Sequence, residues 1–351
     1  MSGEVANISD VAVRVTKDIF KWFKWEATPV MDENFKCHKV EKHKPTPKRN
    51  AAKTNVAPSY THPVDVVFKY FDPYLNRVVM LNTDLKSYAK SSINTTSVTG
   101  ALESLAKTID CARSSPEWQG KYILDSRAYE IRGLLFIYNH DDEYHNDFLK
   151  MIEPINTDKI GIQEGQVLHV LDALRIRYLC TVVADMKHLY SEHEFPIKDY
   201  SFFYPDLYLH KSHGDPDNLP ATIELLCSPY MIVKHGSTSQ IDPAEPDAGS
   251  ENEGYIIYYN QDGSTEHEFR YLLDSLSRFQ ILRGKCSIKI RVAHHNPSAD
   301  MHSKFETAKN LYLAGWGMDS YKRTELERIE FEMVNVAVPN YVPGHLAWRY
   351  Q

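Results

Sequence analysis

Two aspartates and one lysine stand at the ends of two apolar segments that are predicted to pair as a β-hairpin. Asp65 opens the first segment, and Asp84 and Lys86 close the second. If the hairpin is symmetric about Leu75 or about the Tyr74–Leu75 bond, Asp65 lies opposite residue 85 or residue 84. In the second case the aspartates are cross-strand neighbours, with Cβ atoms about 5 Å apart. Asp84 and Lys86 are two residues apart on one strand, so their side chains share a face.

The segments that position these residues have the composition of β-strands. Residues 66–71 and 78–81 are rich in β-branched, aromatic and other apolar side chains, which strands favour. The residues between them include Pro73 and Asn76, which are typical of turns. Two carboxylates and an ammonium are therefore expected to converge at the open end of one hairpin.

This group of side chains suits metal-assisted phosphodiester hydrolysis. Neighbouring carboxylates supply the hard oxygen ligands that Mg²⁺ and Mn²⁺ prefer. Such an ion activates a bound water and neutralises charge on the phosphate, and a lysine can position the water and stabilise the transition state. The alternative is a solvated Asp–Lys pair, worth about 0–1 kcal/mol. Facing carboxylates favour the first interpretation, because like charges across two strands are destabilising unless something binds them.

The motif resembles that of the PD-(D/E)xK nucleases. It is written here as Pro63-Val64-Asp65 followed, after the hairpin, by Asp84-Leu85-Lys86. The resemblance covers residues 1 to about 140. It implies that Asp65 and Asp84 bind Mg²⁺ or Mn²⁺, that the backbone carbonyl of Leu85 completes the metal ligands, and that Lys86 assists the attacking water.

Nucleases of this kind carry a further acid on a helix that precedes the hairpin. An apolar stripe at helical spacing predicts such a helix from Ser9 to about Lys24. Asp10 has the corresponding position, although the family more often has Glu, and its alternative role is a first-turn acid that favours the helix dipole. Glu26 is the reserve candidate. The sequence does not decide between Asp10 and Glu26.

A basic segment, 36–53, leads into the hairpin and is predicted to be mostly loop. The net charge of the chain is −7, so binding to a polyanion requires a local basic patch of this kind. We expect four of its residues to contact DNA phosphates; they are Lys42, Lys44, Lys48 and Arg49. The alternative is a solvated surface loop.

The fold class expected from these patterns is α/β, with a restriction-endonuclease-like core of helix, β-hairpin, helix and strand. Residues 1–198 are predicted to form the nuclease-like domain. Residues 199–351 are predicted to form a C-terminal α/β region, either a second small domain or an elaboration of the first. Within it, the acidic segment 235–254 is low in apolar residues, which indicates a mobile loop.

Composition places further limits on the protein. Apolar residues make up 42% of the chain, as in globular proteins, and no apolar run approaches the length of a membrane span. Five cysteines are scattered without a paired spacing, which indicates a reducing compartment and argues against zinc. A cytoplasmic protein without a membrane partner is expected.

The segment Phe20-Lys21-Trp22-Phe23-Lys24-Trp25, together with the basic segment and the hairpin motif, is similar to nuclease subunits of two-gene bacterial anti-phage systems of the GAPS type. That resemblance implies DNA as substrate and a second protein subunit as partner, and self-association is also compatible with it. The first functional hypothesis is therefore a metal-dependent DNA endonuclease. The second is a catalytically silent nuclease-like scaffold that binds DNA or a partner.

Overall fold

The computed structural model describes residues 15–43, 60–123, 127–205, 218–236, 253–282, 286–342 and 345–350. Of these, residues 15–17, 338–342 and 345–350 are described by their backbone alone. The chain divides into two compact units. Unit 1 runs to Asp72 and from Asn76 to Ile176, and unit 2 comprises Pro73–Leu75 and the chain from Arg177 onward. The domain boundary expected at residues 198/199 stays a prediction, because a compact unit need not fold independently.

Unit 1 is built on one five-stranded sheet. Its elements are a π-helical turn Val15–Phe20, β1 Glu26–Lys36, α1 Val40–His43, β2 Thr61–Asp72, β3 Arg77–Tyr88, a 3₁₀ turn Lys90–Ser92, α2 Thr95–Ala112, α3 Pro116–Tyr122, β4 Tyr129–Asn139, α4 Phe148–Ile152, α5 Thr157–Ile160 and β5 Leu168–Leu171. The strands are ordered β1-β2-β3-β4-β5. The β1–β2 and β2–β3 pairs are antiparallel, and the β3–β4 and β4–β5 pairs are parallel.

The predicted hairpin is formed by β2 and β3. Its pairing runs from Asp72 opposite Arg77 to Val66 opposite Thr83, so the hairpin is symmetric about the Tyr74–Leu75 bond. Asn76 has φ of 52°, a left-handed conformation that asparagine tolerates well and tight turns require. Of the two registers that the sequence allowed, the structure has the one that brings residues 65 and 84 opposite each other.

Helix α2 covers one side of this sheet and closes the core of unit 1. Asn94 caps the helix by accepting a hydrogen bond from the backbone N–H of Ser97 at 3.0 Å, which stabilises a helix start by about 1 kcal/mol. Leu105 and Ile109 on its inner face are buried, and both lie against Gly133 of β4. The absence of a side chain at Gly133 lets the helix approach the strand closely.

We expect Gly133→Ala to destabilise unit 1 by about 1–3 kcal/mol. An added Cβ would lie 2.6 Å from Cδ2 of the half-buried Leu168, 3.0 Å from Leu105 Cγ and 3.1 Å from Ile109 Cγ1. Leu105 and Ile109 are buried and have little room to move. Gly120→Ala is the matched control, because it lies within α3 with no atom within 4 Å of the added Cβ and should be neutral or stabilising. Urea unfolding of both variants tests this, and equal midpoints would contradict it.

Unit 2 begins within α6, Ala173–Ser191, and contains a second five-stranded sheet. Its further elements are β6 Tyr200–Phe202, α7 Ile223–Leu226, β7 Tyr230–His235, β8 Gly254–Tyr259, α8 Glu266–Arg278, β9 Ser287–Val292, α9 Met301–Gly315, α10 Ser320–Glu327 and β10 Ile329–Met333, followed by a separate hairpin of β11 Ala337–Val342 and β12 His345–Tyr350.

The two sheets share one topology. In unit 2 the order is β6-β7-β8-β9-β10, with β6–β7 and β7–β8 antiparallel and β8–β9 and β9–β10 parallel. These are the strand order and directions of unit 1. In both units helices lie before each of the last two strands, because parallel neighbours need a long crossover connection, which is usually helical. The C-terminal region is thus a second α/β unit with the same sheet architecture as the first.

The apolar pattern of the sequence also predicts strands over residues 222–226 and 328–338. The structure contradicts the first and divides the second, and it contains one strand that was not predicted. Residues 222–226 were expected to form a strand, but the Thr222 side chain accepts a hydrogen bond from the N–H of Leu225 at 3.2 Å and caps α7. The expected strand over 328–338 is interrupted and divides into β10 and β11. The segment 26–36, for which no strand was predicted, forms β1.

Most of the acidic segment, 237–252, lies outside the described residues. No helix in the described ranges is both long and apolar enough to cross a membrane.

Candidate functional site

The structure brings together the two aspartates and the lysine of the hairpin motif. Asp65 and Asp84 occupy the pair of positions that continues the register beyond Val66 and Thr83. Asp65 Oδ2 accepts a hydrogen bond from the backbone N–H of Leu85 at 2.6 Å, and Lys86 Nζ donates to Asp84 Oδ1 at 2.6 Å. All three side chains are half-buried. The expected convergence of two carboxylates and an ammonium is present.

The electrostatics of this group fit a site that attracts a cation. Burial and the neighbouring charge of Asp84 raise the pKa of Asp65 to about 6, against the opposing effects of the Leu85 N–H and of Lys86. Burial lowers the pKa of Lys86, but the Asp84 and Asp65 carboxylates outweigh it and raise that pKa above its ordinary value. Lys86 is therefore an ammonium at neutral pH. It can donate hydrogen bonds and stabilise negative charge, but it is not a base.

A third acid, Asp32 on β1, faces this group and was not identified from the sequence. It lies between Met31, which pairs with Val66, and Glu33, which pairs with Val64, so its position is opposite Asp65. The charge of Asp32 contributes to the raised pKa of Asp65. Asp32 has φ of 53° and follows an irregularity in the β1–β2 register, a kind of distortion that often reorients side chains beside active sites.

The two candidates for a helix acid have different outcomes. Asp10 lies outside the described residues, and its role stays a prediction. Glu26 is not on the helix but opens β1, where it pairs with Lys69 in register and by an ion pair of 3.0 Å. Lys69 is four residues beyond Asp65, which is about 13 Å along a strand. Glu26 as the helix acid is therefore wrong, because the helix ends earlier than its apolar stripe indicated.

The basic segment is only partly described, and its described part is not a loop. Residues up to Lys36 belong to β1, and Val40–His43 form α1. Lys42 Nζ lies 3.1 Å from Asp110 Oδ2 and 2.7 Å from Gln163 Oε1, so its ammonium is already engaged within unit 1. Lys44, Lys48 and Arg49 lie outside the described residues. Contact of Lys44, Lys48 and Arg49 with DNA stays a prediction, and the two interactions of Lys42 make that residue the least available of the four for a phosphate.

The donor set at the hairpin fits a hard divalent cation. Asp65, Asp84 and Asp32 offer only carboxylate oxygens, the ligands that Mg²⁺ and Mn²⁺ prefer. Burial and the charge of Asp84 raise the pKa of Asp65, and a bound cation would favour its ionised form. The roles of Asp65, Asp84, Lys86 and the Leu85 carbonyl are taken up as proposals below.

Unit 2 lacks this carboxylate pair although it shares the topology. The strands that correspond to β2 and β3 are β7 and β8, and their register pairs Tyr230 with Tyr259 at the corresponding end. Asn260 and Gln261 follow Tyr259. Facing tyrosines do not bind a hard cation as facing carboxylates do. Only the first unit therefore has the expected nuclease motif among the residues that the structure describes.

A second group of possible metal ligands lies elsewhere in unit 1. Cys37, His43, His62 and Cys111 are all buried, and one ligand atom of each lies within 4.8 Å of the others. The cysteine spacing gave no sign of this group, because its members come from four elements that only the fold brings together. This cluster is softer in its donor atoms than the hairpin site and is considered separately.

Comparison with known families supports the assignment that the hairpin motif indicated. A family model described as the GAPS4 protein PD-(D/E)XK nuclease domain matches residues 1–175, which include the whole sheet of unit 1. Comparison with curated proteins and with solved structures finds no match. The mixed α/β fold is accordingly a PD-(D/E)XK core followed by a second C-terminal region. Through residues 1–175 the chain belongs to the GAPS4 PD-(D/E)XK nuclease domain family, and it is a nuclease of a GAPS defence system.

Proposed function

We propose that this protein is a divalent-metal-dependent DNA endonuclease that acts in bacterial anti-phage defence together with a second protein subunit. The observation that carries the proposal is the facing pair Asp65 and Asp84, with Lys86 Nζ 2.6 Å from an Asp84 oxygen. Family membership supports nuclease chemistry. The cytoplasm is the compartment where such an enzyme meets DNA, and it agrees with the five cysteines, which form no disulfide bond within the described residues.

Each residue of the hairpin has a separate role in this proposal. Asp65 and Asp84 hold Mg²⁺ or Mn²⁺, with the Leu85 carbonyl as a further oxygen ligand and Asp32 or Asp10 as the third acid. The bound cation would lower the pKa of a coordinated water and neutralise charge on the phosphate. The Leu85 N–H fixes the orientation of Asp65 through its hydrogen bond. Lys86 donates hydrogen bonds to the attacking water and stabilises the negative charge that develops on the phosphate.

Digestion of plasmid DNA tests the proposed activity. Purified protein is incubated with Mg²⁺, with Mn²⁺, with neither and with EDTA, alone and together with any protein encoded beside it. Protein carrying Lys86→Ala, prepared in parallel, controls for contaminating nucleases. Cutting that needs the cation and the lysine supports the proposal. Absence of cutting in every condition contradicts it and favours the scaffold alternative.

The scaffold alternative has specific support in unit 2. That unit repeats the sheet topology of unit 1, but the corresponding strand ends carry Tyr230 and Tyr259. A nuclease-like unit without carboxylates can bind DNA or a partner without cleaving it. We therefore assign catalysis to unit 1 and propose a binding role for unit 2.

The basic segment gives a prediction about salt dependence. We expect combined replacement of Lys44, Lys48 and Arg49 by alanine to weaken DNA binding and to reduce the slope of log K against log salt by about 2–3, since each lost phosphate contact removes about 0.9. Lys42→Ala is the matched control. Its ammonium is paired with Asp110, so we expect its slope to change by less than about 0.5. Titration of a labelled duplex at several salt concentrations measures both slopes, and equal slopes for all proteins would exclude this segment from the DNA interface.

A further inference from the structure

Four buried side chains in unit 1 converge although they come from four separate elements. Cys37 follows β1, His43 ends α1, His62 lies near the start of β2, and Cys111 lies in the last turn of α2. Each is no more than 9% exposed. The Cys37 and Cys111 sulfurs lie 3.7 Å apart, and both are free thiols.

Three of the four ligand atoms, those of Cys37, His43 and Cys111, stand at the distances of a tetrahedral metal site. His43 Nδ1 lies 3.5 Å from Cys37 Sγ and 3.3 Å from Cys111 Sγ. Four ligands around zinc, with Zn–S of about 2.3 Å and Zn–N of about 2.0 Å, stand about 3.8 Å apart for two sulfurs and about 3.6 Å apart for sulfur and nitrogen. A ring nitrogen of His62 lies within 4.8 Å of the other three ligand atoms. A shift of about 1 Å in that ring completes the tetrahedron.

The protonation state of His43 leaves a lone pair directed at the two sulfurs. Its Nε2 lies 3.1 Å from Asp110 Oδ2. Asp110 is ion-paired with Lys39 Nζ at 2.7 Å and with Lys42 Nζ at 3.1 Å, and these two ammonium groups hold it as a carboxylate. An ionised carboxylate only accepts hydrogen bonds, so Nε2 carries the proton and Nδ1 is the free acceptor. A carboxylate behind a histidine in this way is the usual outer partner of a metal-binding imidazole.

The hydrogen bonds of His62 lead to the same result. The Thr108 hydroxyl donates to the carbonyl oxygen of Ser104 at 3.0 Å, so it accepts where it meets His62 Nδ1 at 3.5 Å. Nδ1 then carries the proton, and Nε2 holds the lone pair. This Nε2 is buried and has no hydrogen-bond partner, an arrangement that destabilises the fold when nothing binds the nitrogen. A ligand for Nε2 removes that cost.

We propose that Cys37, His43, His62 and Cys111 bind a structural zinc ion. Two thiolates and two imidazoles are a donor set that selects zinc over the hard cations expected at the hairpin. Four protein ligands leave no open position, so the ion is structural and not catalytic. The backbone N–H groups of His38 and Lys39 donate to the Cys111 sulfur. A cavity of about 240 Å³, bordered by Cys37, His43 and His62 and by the exposed Ser104, gives an ion access.

The position of this site suggests what the ion does. It fastens the end of β1 and helix α1 to α2, and it fixes the start of the strand that carries Asp65 three residues beyond His62. His43 and His62 also stand on either side of the sequence that contains Lys44, Lys48 and Arg49. Zinc therefore holds residues 43 and 62, the two ends of the sequence that contains these basic residues. This inference does not depend on the proposed DNA cleavage.

Metal analysis of the untagged full-length protein tests the site. The protein is purified under reducing conditions from zinc-supplemented cells, and zinc is measured by mass spectrometry. We expect about one zinc per chain in the wild type and in Cys227→Ser, whose thiol is exposed in unit 2, and less than about 0.1 per chain in Cys111→Ser. Removal of zinc by a chelator should lower the melting temperature by at least about 5 °C.

Cobalt provides a test that needs no variant. Wild-type protein freed of zinc is titrated with Co²⁺, and a tetrahedral thiolate site gives intense visible bands that saturate at one equivalent and disappear when zinc is added. This result supports the site even if Cys111→Ser does not fold. Two results together would overturn the proposal: folded wild-type protein holds less than about 0.1 zinc per chain, and it gives no such bands with Co²⁺. A Cys37–Cys111 disulfide in the reduced preparation would also overturn it. So would a zinc content of Cys111→Ser equal to that of the wild type.

Discussion

Lys86→Ala should reduce the rate of DNA cleavage by about 10²–10³-fold while DNA binding changes less than about threefold. The ammonium of Lys86 is held 2.6 Å from Asp84 Oδ1, and 30% of its side chain remains exposed. It is therefore within reach of a water beside the carboxylates. Removal of the lysine deletes the hydrogen bond and the positive charge that stabilise the transition state, but it leaves both metal-binding carboxylates in place. Single-turnover cleavage of a labelled duplex at saturating cation measures the rate.

Lys69→Ala is the matched control on the same hairpin. Lys69 lies on β2 and pairs with Glu26 at 3.0 Å, and the loss of such a surface pair costs about 0–1 kcal/mol. We expect this variant to cleave DNA at the wild-type rate. Thermal unfolding of both variants establishes that they are folded at the assay temperature. A cleavage rate for Lys86→Ala within tenfold of the wild type would remove Lys86 from the mechanism.

The hairpin and its site were predictable because their determinants are local. The apolar segments, the turn residues and the alternation of side chains fix which residues face each other, and Asp84 and Lys86 share a face by the period of a strand alone. Apolar patterns in the sequence also predict a strand over residues 129–138, a helix that ends before Pro116 and a helix over about 173–190. The structure confirms them as β4, α2 and α6. For the same reason the family resemblance could be stated from a short motif.

The features that the sequence did not reveal depend on contacts between distant segments. Asp32 joins the hairpin acids only because β1 pairs with β2, and residues 26–36 alternate too weakly to predict a strand. Cys37 and Cys111 are far apart in sequence, and the argument against zinc considered their spacing alone. Spacing rules describe metal sites built on one short loop. They carry no information about a site whose ligands come from four elements.

The shared topology of the two units could not be read from sequence for a similar reason. Strand order depends on which strands pair, and β8 pairs with β9 across the intervening helix α8. The sequence predicts alternating strands and helices after residue 254, and this prediction was correct. The alternation does not include β6 and β7, the antiparallel strands that the acidic segment 235–254 separates from β8. The same backbone arrangement therefore carries carboxylates in unit 1 and tyrosines in unit 2.

Asp65→Asn should abolish cation-dependent cleavage and, at pH 8 in buffer without divalent cations, stabilise the protein. The pKa of Asp65 is raised to about 6 by burial and by the charge of Asp84. The folded state thus binds a proton more tightly than the unfolded state, in which an aspartate has a pKa near its ordinary value. This group's contribution to the free energy of unfolding is greatest near pH 4, falls as the pH rises to about 6, and is constant above that. Asparagine remains neutral at pH 8, so we expect a gain of at most about 3 kcal/mol.

Urea unfolding at pH 5 and pH 8 distinguishes this effect from a general change in packing. The advantage of the variant should be larger at pH 8, where wild-type Asp65 is ionised, and smaller at pH 5, where it is mostly protonated. Addition of Mg²⁺ at pH 8 should stabilise the wild type but not the variant, because only ionised carboxylates hold the cation. Asp32→Asn should raise the free energy of unfolding less than Asp65→Asn does, because the charge of Asp32 is the smallest of the causes that raise the pKa of Asp65. A variant less stable than the wild type at pH 8 would show that Asp65 supports the fold. The expected gain in stability means instead that holding the acids together destabilises the protein, and that the acids are kept together for the cation they bind.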